Sequence, residues 1–72
     1  MNIILDEGLI QEVQMKATGA NIHKVISKMT AYQNSIEALE SIYEEDVRDG
    51  LINIAKRAEK SLRVFTVTGR LE

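Results

Sequence analysis

The residues of this sequence that could do chemistry begin with a single histidine. His23 lies off the apolar stripe described below, and the chain has no cysteine and no second histidine to join it. Nucleophilic catalysis requires a nucleophile beside a base, and a zinc site requires three or four clustered ligands. The sequence therefore predicts a structural or solvated role for His23, no enzyme activity, no metal site and no cofactor.

A run of carboxylates supplies oxygen ligands of the kind that a hard cation prefers. It comprises Glu44, Glu45, Asp46 and Asp49. A calcium loop, however, alternates its ligands around a central glycine, and this run does not. Asp46 is a favourable helix N-cap residue, and Asp49 would follow in the first turn, where carboxylates meet the positive end of the helix dipole. We therefore expect helix capping and solubility from this run.

A row of cations near the end of the chain could contact phosphate. It comprises Lys56, Lys60 and Arg63, with Arg57 beside them. No aromatic residue lies among them to stack on bases, and the whole chain has a net charge of −2, which does not attract nucleic acid or anionic lipid. We expect these cations to complement the carboxyl end of a helix.

Length and composition limit what can position these residues. The chain has 72 residues, 44% of them hydrophobic, and no proline, cysteine or tryptophan, which is typical of one small helical domain over residues 1–72. No apolar run approaches the roughly 18 residues of a membrane span, and the start lacks the features of a signal peptide. We expect a soluble protein without membrane insertion, cytoplasmic or exported without a cleaved signal peptide.

The clearest pattern is an apolar stripe with the spacing of a helix. Two interleaved series of period seven form it, Ile22, Met29, Ile36 and Tyr43 together with Val25, Tyr32 and Leu39. Apolar residues upstream keep helical spacing in a different phase, and Gly19 lies where the phase changes. We favour one long helix over about residues 8–43, after an extended lead-in at residues 2–5 and a cap at Asp6. In the alternative, Gly19 ends a first helix and Asn21 caps a second.

A second helix is predicted over about residues 47–67, after a turn at 44–46. Its apolar stripe begins at Val47 and ends at Phe65, and Gly69 is a natural C-cap. Two helices joined by a short turn form an antiparallel hairpin, which would leave outer apolar residues uncovered. These are Val13, Met15, Ile26, Ile52 and Val64. We therefore expect an all-α hairpin that pairs with another hairpin into a four-helix bundle.

The predicted interface of that bundle follows the two stripes. It comprises Ile22, Val25, Ile26, Met29, Tyr32, Ile36, Leu39, Leu51, Ile54, Ala58, Leu62 and Phe65. The partner would be a second copy of the chain or another small helical protein.

The turn between the helices resembles that of the W-x-G family, the small early-secreted-antigen-like helical hairpins of type VII secretion. Tyr43 stands at the aromatic position of the motif, Glu45 at the glycine position, Asp46 at the cap and Leu51 at the apolar start of the second helix. The likeness covers about residues 3–65. Because tyrosine and glutamate replace the tryptophan and glycine, we expect the turn to be built differently. The resemblance implies that the chain is a non-catalytic substrate or targeting partner of that secretion system. Such a protein pairs with itself or with another small helical protein, and also with a larger exported protein.

A function of another class rests on charge. Residues 37–49 carry six carboxylates against Arg48 alone, a net charge of −5, whereas residues 50–72 carry a net charge of +3. The alternative is therefore a phage- or plasmid-type regulatory or inhibitor protein that binds a basic partner through its acidic turn.

Overall fold

The computed structural model of this chain describes residues 4–71, which form three α-helices and no strand. Helix α1 spans Glu7–Lys16, α2 spans Ile22–Leu39 and α3 spans Glu45–Thr68. The predicted all-α class is therefore confirmed. Part of the predicted lead-in at residues 2–5 lies outside the described residues.

The prediction of one long helix over residues 8–43 is wrong, because the chain breaks between α1 and α2. Ala17 leaves the helical region with a ψ of 141°, and α2 starts only after Asn21. The Asn21 side chain does not cap α2; its Oδ1 accepts a hydrogen bond from the backbone N–H of Thr18 at 2.8 Å. The break falls where the apolar phase changes, and it lets α1 fold back so that Leu9 and Val13 become buried.

The connection between α2 and α3 occupies residues 40–44, not 44–46 as predicted. Arg48 explains why α2 ends early. One nitrogen of its guanidinium, Nη1, donates to the carbonyl oxygens of Leu39 at 2.7 Å and Ile42 at 2.8 Å. Because these carbonyls have lost helical partners, the charged donor satisfies groups that a helix end leaves open.

The ends of α3 agree in part with the prediction. Glu44 takes the N-cap position without a side-chain hydrogen bond, so the prediction that Asp46 is the N-cap is wrong; Asp46 lies in the first turn. At the other end the helix stops at Thr68, and Gly69 adopts a left-handed conformation with a φ of 75°, which confirms the predicted C-cap.

The two longer helices run antiparallel, and α1 packs against both of them. The largest fully buried side chains are Tyr32, Phe65, Leu62, Val13 and Val25. Val13 was predicted to lack cover, and that prediction is wrong because α1 folds onto the hairpin. Met15, Ile26 and Val64 are exposed as expected, and Ile52 is half-buried. Within residues 4–71 the architecture is thus three packed helices, a hairpin covered on one face by α1.

Two glycines, Gly50 within α3 and Gly69 at its C-cap, should respond in opposite directions to substitution by alanine. Gly50 lies inside the helix, and no heavy atom comes within 4 Å of the position of an added Cβ. Gly50→Ala should therefore raise the free energy of unfolding by about 0.5–1 kcal/mol. Gly69→Ala should lower it by about 1 kcal/mol, because the left-handed backbone is costly for a residue with a Cβ. Urea unfolding followed by circular dichroism measures both, and a destabilised Gly50→Ala would contradict the assignment.

Candidate functional site

The histidine and the carboxylate run singled out for chemistry lie at opposite ends of the hairpin. His23 is exposed on the first turn of α2, on a groove that also contains Lys24, Ser27 and Leu71. Across residues 4–71, no three His, Cys, Asp or Glu side chains are grouped so that they could hold a metal ion. Over the same range, no helix is long and apolar enough to cross a membrane.

Most of the predicted interface lies inside the chain's own core. The buried members are Val25, Tyr32, Ile36, Leu39, Ala58, Leu62 and Phe65. Ile22, Met29 and Leu51 are half-buried, whereas Ile26 and Ile54 are 51% and 49% exposed. The apolar surface that a partner could contact without unfolding the chain is therefore much smaller than the two stripes suggested.

The residues of the predicted turn motif all face solvent. Tyr43 is 90% exposed, and Glu45 and Asp46 are exposed beside it. Glu40 and Glu44 complete a carboxylate-rich surface around the ring, which we call the acidic turn. Instead of continuing the apolar stripe of α2, Tyr43 lies beyond the end of that helix. An exposed aromatic ring among carboxylates offers both contact area and charge to a partner.

Asp6 connects all three helices. Its Oδ1 caps α1 by accepting from the backbone N–H of Leu9 at 3.1 Å, as predicted for this residue. Its Oδ2 forms an ion pair with Arg63 of α3 at 3.0 Å. Its own backbone N–H donates to the hydroxyl of Tyr32 in α2 at 3.0 Å. One residue before the first helix therefore fixes where α1 lies on the hairpin.

The same contacts shift the ionisation of the two charged partners. The hydrogen bond from Leu9 and the Arg63 guanidinium hold the pKa of the Asp6 carboxyl below its ordinary value. Hydrogen bonds to Glu59 and to Asp6 raise the pKa of Arg63. Arg63 therefore serves the contact between α1 and α3, and it is not available to the predicted basic row.

Two other cations of that row, Arg57 and Lys60, line a groove that α3 shares with α2. Arg57, Lys60, Ser61 and Val64 line it together with Lys28 from α2, and its volume is about 290 Å³. Sequence reasoning missed Lys28, because nothing in the spacing along one helix identifies a cation on its neighbour. The position of Arg63 was also misjudged, since it points to α1.

The second groove, with His23 and Lys24, also contains Lys28 and has a volume of about 410 Å³. The two grooves therefore adjoin. Their combined lining has four cations, a histidine and two serines, and no carboxylate among the lining residues of either groove. We call this surface the basic groove. It lies on the half of the hairpin remote from the acidic turn, so the uneven charge of the sequence becomes two separate surfaces.

Acid should weaken the contact that Asp6 makes. A carboxyl whose pKa is lowered by folding stabilises the fold above its unfolded pKa of about 3.9, and that contribution is lost as pH falls through the lower folded value. Asp6→Asn keeps a capping side chain but removes the charge. The variant should therefore melt at a lower temperature than the wild type at about pH 7, and the two should converge near pH 2.

Thermal unfolding at both pH values measures this difference. Glu12→Gln is the matched control, because the pair between Glu12 and Lys16 spans 3.8 Å with both side chains about half exposed. Such a pair contributes little, so the control should melt like the wild type at both pH values. An Asp6→Asn difference that persists unchanged in acid would show that the charge of Asp6 is unimportant.

Comparison with protein-family models, with curated proteins and with solved structures finds no match for this chain.

Proposed function

We propose that this chain is a non-catalytic helical adaptor that binds a second copy or another helical protein through exposed apolar side chains. The observation that carries the proposal is a set of aliphatic residues that α3 leaves in solvent. Val47, Ile54 and Val64 are 42%, 49% and 38% exposed. A chain this small gains little from leaving such side chains in water, and a partner helix would cover them.

The position of these residues supports binding on one particular face. Ile54 and Arg63 are nine residues apart, about two and a half helical turns, so they project from opposite sides of α3. Since Arg63 contacts Asp6 at the start of α1, Ile54 projects away from α1. We call the side of the hairpin that α1 leaves uncovered the open face. A partner hairpin on it would complete a four-helix bundle from the two longer helices of each chain.

We further propose that the adaptor belongs to the kind represented by small substrates and targeting partners of type VII secretion. The turn pattern from Tyr43 to Leu51 and the heptad pattern of α2 support this assignment. The break between α1 and α2 departs from a continuous hairpin, since it shortens the first long helix to Ile22–Leu39. On this proposal the partner carries the export signal, and the chain travels with it or presents it.

A polar substitution on the open face tests the adaptor function. Tagged wild-type protein, Ile54→Asp and Ile26→Asp would be compared for recovery of bound protein from the native host, with each captured protein identified. Ile26 is equally exposed, but it is two residues from both Lys24 and Lys28, so it projects from the opposite side of α2 to these two cations. We expect Ile54→Asp to lose at least about tenfold in affinity, since a buried unpaired charge is costly, and Ile26→Asp to bind normally.

The identity of the captured protein separates the two parts of the proposal. A helical exported protein, bound by wild type and lost with Ile54→Asp, supports the secretion assignment. A bound helical protein that is never exported would overturn that assignment and leave the adaptor function. Equal capture by all three proteins would overturn both.

The exposed acidic turn favours a second candidate function, a phage- or plasmid-type regulatory or inhibitor protein that masks a basic partner. The observation that supports it is Tyr43, 90% exposed and followed directly in the chain by three exposed carboxylates. The combined variant Glu44→Gln, Glu45→Gln, Asp46→Asn removes three charges without reversing any. If the chain has this second function, the triple variant should no longer capture a basic protein that the wild type captures from the native host. Ile54→Asp should still capture that protein.

A further inference from the structure

The acidic turn and the basic groove carry opposite charge on one small chain. The acidic turn offers four carboxylates around Tyr43, and the basic groove offers Lys24, Lys28, Arg57 and Lys60. Within one copy the two do not meet, because they occupy different halves of the hairpin. Arg57 lies 12 residues after Glu45 along α3, which is roughly 18 Å at the rise of an α-helix.

We propose that the basic groove is the docking site for the acidic turn of a second copy of this chain, in an antiparallel dimer with two identical contacts. This inference rests on the proposed function, because it names the partner and the surface through which the chain assembles. Charge complementarity carries it: each copy supplies one acidic turn and one basic groove, so a twofold axis satisfies both pairs at once.

The open face indicates where the twofold axis of the proposed dimer would pass. Ile54 lies between the two charged regions of α3, five residues after Asp49 and six before Lys60. If two α3 helices cross antiparallel at Ile54, residues 57–64 of each copy, the stretch of α3 that lines the basic groove, come opposite residues 44–51 of the other, which begin in the acidic turn. The exposed Ile54 side chains then meet at the centre, where apolar contact is best shielded from water.

Tyr43 would add buried surface area to the charge contacts of this dimer. Its ring is 90% exposed in the single chain, and a tyrosine buries roughly 150–250 Å² when it is covered. The groove around Lys28 combines cations with the apolar side chains of Val64 and Leu71. A ring inserted there would lie against aliphatic carbon and near ammonium groups, which attract the face of an aromatic ring.

Charge exchange between two variants tests the dimer. Variant A carries Lys28→Glu, Arg57→Glu and Lys60→Glu, so both of its surfaces are acidic. Variant B carries Glu44→Lys, Glu45→Lys and Asp46→Lys, so both are basic. Each should be monomeric alone, and an equal mixture should form a heterodimer, since the acidic turn of A then meets the basic groove of B and the reverse contact also pairs opposite charges.

The molar mass of each sample is measured by light scattering after size exclusion, at about 100 µM protein and low salt. It is compared with the 8.1 kDa of the monomer. Wild type should double that mass, and its dimer dissociation constant should rise roughly tenfold between about 50 mM and 500 mM salt, because salt screens exposed charges. Tyr43→Ala should weaken the dimer without changing its salt dependence. Circular dichroism checks that every variant keeps its helicity. If B unfolds, the milder variant Glu44→Gln, Glu45→Gln, Asp46→Asn replaces it. This milder variant should be monomeric.

Three outcomes would overturn the inference: a monomeric wild type, a dimer that survives both charge reversals, or folded variants A and B that do not associate when mixed. The first leaves the proposed function standing if Ile54→Asp still abolishes capture of another helical protein. A dimer that survives charge reversal but is lost with Ile54→Asp likewise keeps the adaptor function and rejects only the electrostatic docking.

Discussion

The position of α1 depends on the contacts of one residue, Asp6. A helix of ten residues such as α1 is not stable alone in water, so it forms only where something holds it. The Asp6 carboxylate caps it and pairs with Arg63 of α3, while the Asp6 backbone N–H reaches the Tyr32 hydroxyl of α2. At the other end of α1, the Lys16 ammonium donates to the carbonyl oxygen of Thr66. Polar contacts at both ends thus align the apolar residues between them.

The asymmetry of the surface follows from that alignment. Because α1 covers one face of the hairpin, the apolar and cationic side chains of α3 that face the other way stay in solvent. The second asymmetry lies at the turn, where Arg48 donates to the last carbonyl of α2 and Tyr43 lies in the connection instead of the core. Two arginines thus lie at the boundaries of the exposed surfaces on which the proposed functions rest, Arg63 on the covered side and Arg48 at the turn.

The parts of the fold that could be predicted were those with local causes. The capping of α1 by Asp6 and the end of α3 at Gly69 depend on residues within one turn of the helix end, so sequence spacing reveals them. The break at residues 17–21 could not be settled in that way. A change of apolar phase at Gly19 is compatible with a bent helix and with a turn, and burial of Val13 against the hairpin favours the turn.

The amino-acid sequence by itself determined the all-helical class, the apolar stripes and the segregation of charge along the chain, because helical periodicity and capping act over a few residues. Only the tertiary structure decided which stripe residues are buried, which cations share a groove and which arginine binds a carboxylate. Lys28 and Arg57 are 29 positions apart in sequence yet line one groove, whereas Lys60 and Arg63, three apart, differ in their contacts, since Lys60 lines that groove and Arg63 pairs with Asp6. Those neighbours are set by how the helices pack, and packing depends on contacts between residues distant along the chain.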